Sequence, residues 1–189
     1  MRASVLVIAA LVSAASAGLV ARSLARVGVH QGYAPEQPIA FSHKLHAGDS
    51  RIPCLYCHSN ARTSRHAGIP SINVCMNCHS MLTKQTVDIE RLKEAVQRRQ
   101  AIAWTKVHNL PDFVYFNHSQ HVAADVACRS CHGAVETMER VRQEAPLTMG
   151  WCLDCHRTRG AELQRSRAEA AHVDPRAPLP ATDCGKCHY

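Results

Sequence analysis

Cys54-Leu55-Tyr56-Cys57-His58 is a pentapeptide whose pattern returns four more times. The copies are Cys75-Met76-Asn77-Cys78-His79, Cys128-Arg129-Ser130-Cys131-His132, Cys152-Leu153-Asp154-Cys155-His156 and Cys184-Gly185-Lys186-Cys187-His188. Each reads C-x-x-C-H, the spacing at which two thiols add to the two vinyl groups of one porphyrin while the next residue offers an imidazole to its iron. The ordinary reading of a C-x-x-C pair is zinc or a redox dithiol. With 13 His in 189 residues, a His directly after all five pairs is about a one-in-a-million coincidence, which favours c-type haem attachment. All ten cysteines fall inside the motifs, leaving none for a disulfide or a nucleophile. The cofactor expectation is five covalently bound haem c groups.

Composition fits a chain with an imported core. Aromatic residues make up 5% of it, with three Phe and two Trp. Nothing between the motifs alternates apolar and polar residues over a useful length, so few or no strands are expected. The predicted fold is mainly α and irregular, a multihaem cytochrome c domain with one N-terminal transmembrane helix. The formal charge of +7 and pI near 9.0 raise nucleic acid as a partner. Lys and Arg are scattered, no nucleic-acid motif occurs, and haem propionates offset part of the excess, so that reading is set aside.

The run Ala3 to Ala21 is uncharged and largely apolar between Arg2 and Arg22. Ala15-Ser16-Ala17 after an apolar stretch resembles a cleavable signal, whereas the whole run is long enough to cross a bilayer. The letters alone balance these readings; the expectation carried forward is an anchor over 1–22. Covalent haem attachment takes place outside the bacterial cytoplasmic membrane. This gives an inner-membrane protein with N-in, C-out topology and its haem domain on the periplasmic side, against the positive-inside tendency of Arg22 and Arg26. Residues 23–40 read as a polar linker with Gly28, Gly32, Pro35 and Pro38, followed by a pentahaem domain over 41–189.

Within that domain one unit occurs twice. Phe41-Ser42-His43-Lys44-Leu45-His46 precedes the first two motifs, and Phe116-Asn117-His118-Ser119-Gln120-His121 precedes the third and fourth. Seven residues separate the second His from the next Cys in one copy and six in the other; sixteen and nineteen separate the paired motifs. This is a duplicated two-haem module, 41–79 and 116–156, with the fifth site at 184–188. Thr86 to about Gln100 predicts a helix, with Ile89, Leu92 and Val96 on one face and Glu90/Lys93 and Glu94/Arg98 spaced for pairing. Asn109-Leu110-Pro111-Asp112 predicts a turn, 161–171 a short helix, and Pro175, Pro178 and Pro180 an extended path to the last motif.

His58, His79, His132, His156 and His188 are the proximal iron ligands that the motifs supply. The opposite faces decide between a wire and an enzyme with an open iron. Imidazoles at i and i+3 on one helical turn reach two neighbouring irons. His43 is therefore assigned to the haem at Cys54/Cys57, His46 to that at Cys75/Cys78, His118 to that at Cys128/Cys131 and His121 to that at Cys152/Cys155. His108 and Met149 compete for the fifth place, with Met81 and Met138 more distant candidates. His30, His66 and His172 read as ordinary surface or core histidines. Five motif histidines and at least five distal candidates argue for electron transfer, with no catalysis by the chain alone.

F-x-H-x-x-H before C-x-x-C-H resembles the class III multihaem cytochromes, the cytochrome c3 and c7 family. A wider pattern is formed by an N-terminal membrane segment, FSHKLHAG at 41–48, VCMNCH at 74–79, KVHNLPDFVYFNHSQHV at 106–122, LTMGWCLDCHR at 147–157 and a C-terminal fifth motif. That pattern resembles the pentahaem A subunit of alternative complex III, a bacterial quinol:electron-acceptor oxidoreductase. The resemblance covers most of 41–157 and implies partners. Electrons arrive from an iron–sulfur subunit fed by quinol-oxidising integral membrane subunits, and leave for a monohaem cytochrome c or a terminal oxidase. The alternative is a membrane-anchored multihaem cytochrome that donates electrons to a periplasmic reductase. Intact mass minus polypeptide mass should equal five haem additions; four would leave one motif without its haem.

Overall fold

The computed structural model describes residues 2–24, 26–169 and 182–188. Its α-helices are joined by irregular chain and single turns, and no strand occurs among the described residues. Helix α1 (Arg2–Leu24) is apolar on all sides, and its side chains from 3 to 24 are exposed. Its 23 residues rise about 35 Å, enough for the ~30 Å hydrocarbon layer of a bilayer. It has the length and composition of a membrane span.

The connector is irregular, as its Gly and Pro content predicts, yet it is tied to the body of the protein. Gly32 N donates to Gln143 O (2.7 Å), Gln143 N donates to Tyr33 O (3.0 Å), and Gln37 exchanges hydrogen bonds with Thr105 (2.8 and 2.9 Å). Gln143 is fully buried, and its Oε1 accepts from Asn109 N at 2.9 Å. One buried amide therefore joins the connector to the chain that enters the second module. Apolar burial is meagre: among the described residues only Ala61, Leu92, Met138 and Ala145 are buried apolar side chains.

The motifs lie on α2 (Cys54–Cys57), α3 (Ile72–His79), α6 (Arg129–His132) and α7 (Met149–Glu169), with the fifth on a 3-10 turn, Cys184–Lys186. Helix α4 (Val87–Gln97) follows the first module. Thr86 Oγ1 caps it by accepting from Ile89 N at 3.3 Å, and Asp88 and Glu90 occupy its first turn beside the positive end of the helix dipole. Leu92 is buried between half-buried Ile89 and Val96, as the spacing predicts. Glu94 pairs with Arg98 (2.7 Å), but Lys93 donates to Gln85 Oε1 (2.8 Å). The turn predicted at 109–112 closes slightly later, through Val114 N to Pro111 O.

The helix predicted over 161–171 starts earlier, as part of α7 from Met149 onward. The stretch contains no proline, and Thr148 Oγ1 accepts from Trp151 N at its start (3.3 Å). The fourth motif therefore sits inside a long helix instead of ending a short one. The predicted end of that helix at 170–171, the extended path through Pro175, Pro178 and Pro180, and His172 lie outside the described residues.

The duplication is visible in three dimensions. In the second copy, helix α5 (His118–Ala123) is capped by Asn117 Oδ1, which accepts from Ser119 N (3.0 Å). In the first copy Ser42 Oγ accepts from Leu45 N (3.0 Å), and the turn Lys44–Asp49 is π-helical. The wider π turn absorbs the one extra residue of the first copy. Ile52 N closes on His46 O, six residues back; Val126 N closes on His121 O, five back; both bonds are 3.0 Å. A left-handed residue ends each turn, Arg51 (φ 54) in one and Asp125 (φ 55) in the other.

Each module's distal turn leans on the other module. Lys44 N donates to Met138 O (2.9 Å), beyond the third motif, and Ser119 N donates to Ser64 O (3.2 Å), beyond the first. At the first contact, a Cβ on Gly48 would collide with the Glu136 carbonyl oxygen. Gly48→Ala should therefore lower stability by about 1–3 kcal/mol, the usual penalty of overpacking. Gly150→Ala, with nothing within 4 Å of the new methyl in α7, should be neutral or stabilising, and thermal unfolding of the two variants checks the contrast.

Candidate haem-attachment sites

Each motif winds into one helical turn, which places two thiols at i and i+3 on one side with the imidazole following. The turns close alike: His58 N to Cys54 O (2.9 Å), His132 N to Cys128 O (3.0 Å) and His188 N to Cys184 O (2.9 Å). All ten cysteines are free. Burial pushes the thiols of Cys54, Cys57, Cys75, Cys131 and Cys152 upward, so they are held as neutral thiols.

The H-x-x-H histidines face motif histidines. Ring centroids lie 6.1 Å apart for His46 and His79, 5.9 Å for His121 and His156, and 6.3 Å for His118 and His132. A metal–imidazole bond is about 2 Å long. Two such bonds on opposite sides of one metal put the ring centres about 6 Å apart, so these three spacings suit one metal between each pair. His43 is held at a pKa of about 4, by burial first and then by the neighbouring His58, His46 and His108. Phe41 lies stacked on His46 (4.3 Å) and edge-on to His43 (4.9 Å); Phe116 lies at 4.4 Å from His121 and edge-on to His118 (4.8 Å). The Phe of F-x-H-x-x-H thus braces both imidazoles in each copy.

Proton positions also suit ligation. A carbonyl oxygen only accepts, so a ring nitrogen facing one must carry the hydrogen. Nδ1 donates to Gly68 O from His58 (2.7 Å), to Phe113 O from His188 (3.0 Å) and to Arg65 O from His118 (2.8 Å). It donates to Ser42 O from His46 and to Asn117 O from His121, both at 2.8 Å. Each bond leaves the Nε2 lone pair free for a metal, the usual outer-shell arrangement for ligating histidines. Among the described residues no three His, Cys, Asp or Glu side chains converge as a protein-only metal cluster. Paired thiols, opposed imidazoles and the nearly empty core fit a planar metal macrocycle bound between the rings.

Comparison with known proteins agrees. The profile for the class III cytochrome c family matches residues 23–110, and that for cytochrome c7 and related cytochromes c matches 114–189. Each profile covers a little under half of the chain, and together they make it similar to the class III and c7-type multihaem cytochromes c. It is also 37% identical over 98 residues to a Nitratidesulfovibrio vulgaris protein named "Menaquinone reductase, multiheme cytochrome c subunit". That match takes in 51% of this chain and 46% of the relative, so it spans about half the length of that protein.

The five motifs do not adjoin one another in sequence order. Asn77 Nδ2 donates to Tyr56 Oη (3.1 Å) between the second and first motifs, and Cys57 neighbours Cys75 and Cys78. Cys54 neighbours Cys128 of the third. Cys131 neighbours Cys152 and Cys155, and Cys152 neighbours Cys187. By these neighbours the motifs adjoin in the order second, first, third, fourth, fifth. The two modules meet through their first sites.

Other candidates fall elsewhere. His108 Nε2 lies 3.1 Å from His132 Nδ1, with the two rings edge-on at 4.4 Å. Met149 is 68% exposed on the first turn of α7, three residues before Cys152 and on the same face. Met138 is buried at 4% exposure as a packing residue, Met81 is 84% exposed, and His30 and His66 are exposed. Sequence reasoning missed the carbonyls of Gly68, Arg65 and Phe113, which orient ligand rings although no side-chain pattern marks them. The capping roles of Ser42 and Asn117 ahead of each H-x-x-H were missed as well, although Ser and Asn are common capping residues. His46→Ala should turn one haem high spin in the ferric EPR spectrum and disturb the second site most. An unchanged low-spin spectrum would remove His46 from the ligand set.

Proposed function

We propose that this chain is the electron-relaying subunit of a quinone-linked membrane oxidoreductase of the alternative complex III type. In this reading five c-type haems are attached at Cys54/Cys57, Cys75/Cys78, Cys128/Cys131, Cys152/Cys155 and Cys184/Cys187. The axial pairs are His58 with His43, His79 with His46, His132 with His118, His156 with His121, and His188 with Met149. The observation that carries the reading is the spacing of opposed imidazoles at 5.9–6.3 Å in three pairs, which suits filled axial positions and argues against an open catalytic iron. The first pair follows by duplication, and the pKa of His43 is lowered by His58 next after burial.

Bound haem supplies a one-electron ferric/ferrous couple; the residues set its potential and order. Met149 is assigned to the fifth site because it shares a helical face with Cys152, which neighbours Cys187. A thioether in place of an imidazole raises the potential, which suits the electron exit. On this reading the terminal sites are the second and fifth, and partners meet them there.

Helix α1 anchors the chain in the bacterial inner membrane and holds 41–189 on the periplasmic side. Its apolar run from Ala3 to Ala21 has no acidic or His residue to exchange protons with a quinone. Quinone chemistry therefore belongs to integral membrane partners joined through an iron–sulfur subunit. The motif resemblance puts quinol oxidation upstream and a monohaem cytochrome c or oxidase downstream; the name of the N. vulgaris relative favours the opposite direction, with menaquinone as acceptor. A cytochrome that feeds a periplasmic reductase remains the competing arrangement. Isolation of the complex in detergent decides among them. Quinone-reactive membrane subunits and an iron–sulfur protein should co-purify, and the faster of quinol-to-cytochrome and reverse electron transfer sets the direction; a periplasmic reductase alone would overturn the proposal. In the same complex Met149→His should lower one titration step and slow delivery to the acceptor more than reduction by quinol. Potentials unchanged by that substitution would remove Met149 from the fifth site.

A further inference from the structure

His132 differs from His58 and His188 in what its second nitrogen meets. His58 and His188 donate Nδ1–H to the backbone carbonyls of Gly68 and Phe113. At His132 the partner is a side chain: Nδ1 lies 3.1 Å from Nε2 of His108. His118 faces the other side of the third site with its ring nearly parallel to that of His132, 6.3 Å between centroids and 16° between planes. His132 and His118 therefore suffice as an axial pair, and His108 stands beside the pair instead of across from one of its rings.

The position of His108 is built. The backbone N of the next residue, Asn109, donates to Gln143 Oε1 (2.9 Å), and Gln143 is fully buried and further fixed by Nε2 to Ala145 O (3.1 Å). If His132 uses Nε2 for iron, its Nδ1 carries the hydrogen and His108 Nε2 must accept it. The nitrogen that His108 would need for a metal is then occupied.

We propose that His108 is a positioning residue of the third site, whose Nε2 accepts the Nδ1–H of His132, fixes that ring and lowers the site's reduction potential. This rests on the axial pairing of His132 with His118 given above. A hydrogen bond from Nδ1–H makes an imidazole a stronger electron donor, which stabilises ferric over ferrous iron. The third site is the junction of the two modules, reached from the first through Cys54 and Cys128. An acceptor there adjusts the step by which an electron crosses between duplicated halves. A side-chain acceptor can also be removed without disturbing the backbone.

Three variants of the haem-loaded protein test this, with ferric EPR and a redox titration as readouts. His108→Leu removes the acceptor at similar volume. All haems should stay low spin, and one titration step should rise by roughly tenfold in its one-electron equilibrium, about 59 mV. His108→Gln restores an acceptor oxygen and should return most of that shift. The step should be the one that His118→Met also moves. A new high-spin signal in His108→Leu with haem content intact would make His108 an axial ligand and overturn the proposal. An unmoved titration would overturn it as well. His118→Ala keeps the foundation separate: it must turn one haem high spin, and its failure to do so would sink the axial pairing.

Discussion

Opposed imidazoles across an interval of about 6 Å are the constraint around which the rest of the chain is arranged. A pair of rings holds that interval only if each is fixed in direction and in proton position. The chain fixes direction with Phe41 and Phe116, which pack against both imidazoles of their own turn. In five rings it fixes the proton with backbone carbonyls, which accept from Nδ1 and leave Nε2 bare, whereas Nδ1 of His43 and of His79 is buried without a partner. Neither device needs a regular sheet or a long helix, and short turns carry most of these rings among the described residues. Ion pairs do little of this holding: Glu94–Arg98, Asp88–Arg91 and Glu36–Arg140 all lie at the surface, where solvent screens them.

What remains of a conventional core is small and peripheral to the sites. Leu92 belongs to α4, and Met138, Gln143 and Ala145 lie on the segment that receives the first module's turn and the connector. That segment lies between the third and fourth motifs, so residues that attach no haem still set the relation between the halves. The buried amide of Gln143 accomplishes this with hydrogen bonds because no apolar cluster is available at that place.

The motif cysteines and histidines, the H-x-x-H pairs and the capped α4 were legible because each rests on local spacing. The absence of strands among the described residues was legible for the same reason: nothing alternates. The helix expected over 161–171 was placed too late, because C-x-x-C-H at 152–156 is itself helical and the chain after His156 continues it. The π turn at Lys44–Asp49 was half-visible as an extra residue in the first copy; its geometry was not. The order of sites and the place of His108 were hidden because both depend on contacts between segments far apart in the chain. Spacing within a motif carries no information about which motif lies beside it.

The mutual support of the modules has a consequence for biogenesis. The turn that presents His43 and His46 hydrogen-bonds to Met138, more than ninety residues further along. A chain that emerges from its N-terminus exposes the first two cysteine pairs well before that support exists. If haem is attached at these pairs, attachment would need only the local turn, whereas the first module's H-x-x-H turn also leans on the later segment. Until residues 133–145 arrive, the turn carrying His43 and His46 would lack its hydrogen bond from Lys44 N to Met138 O.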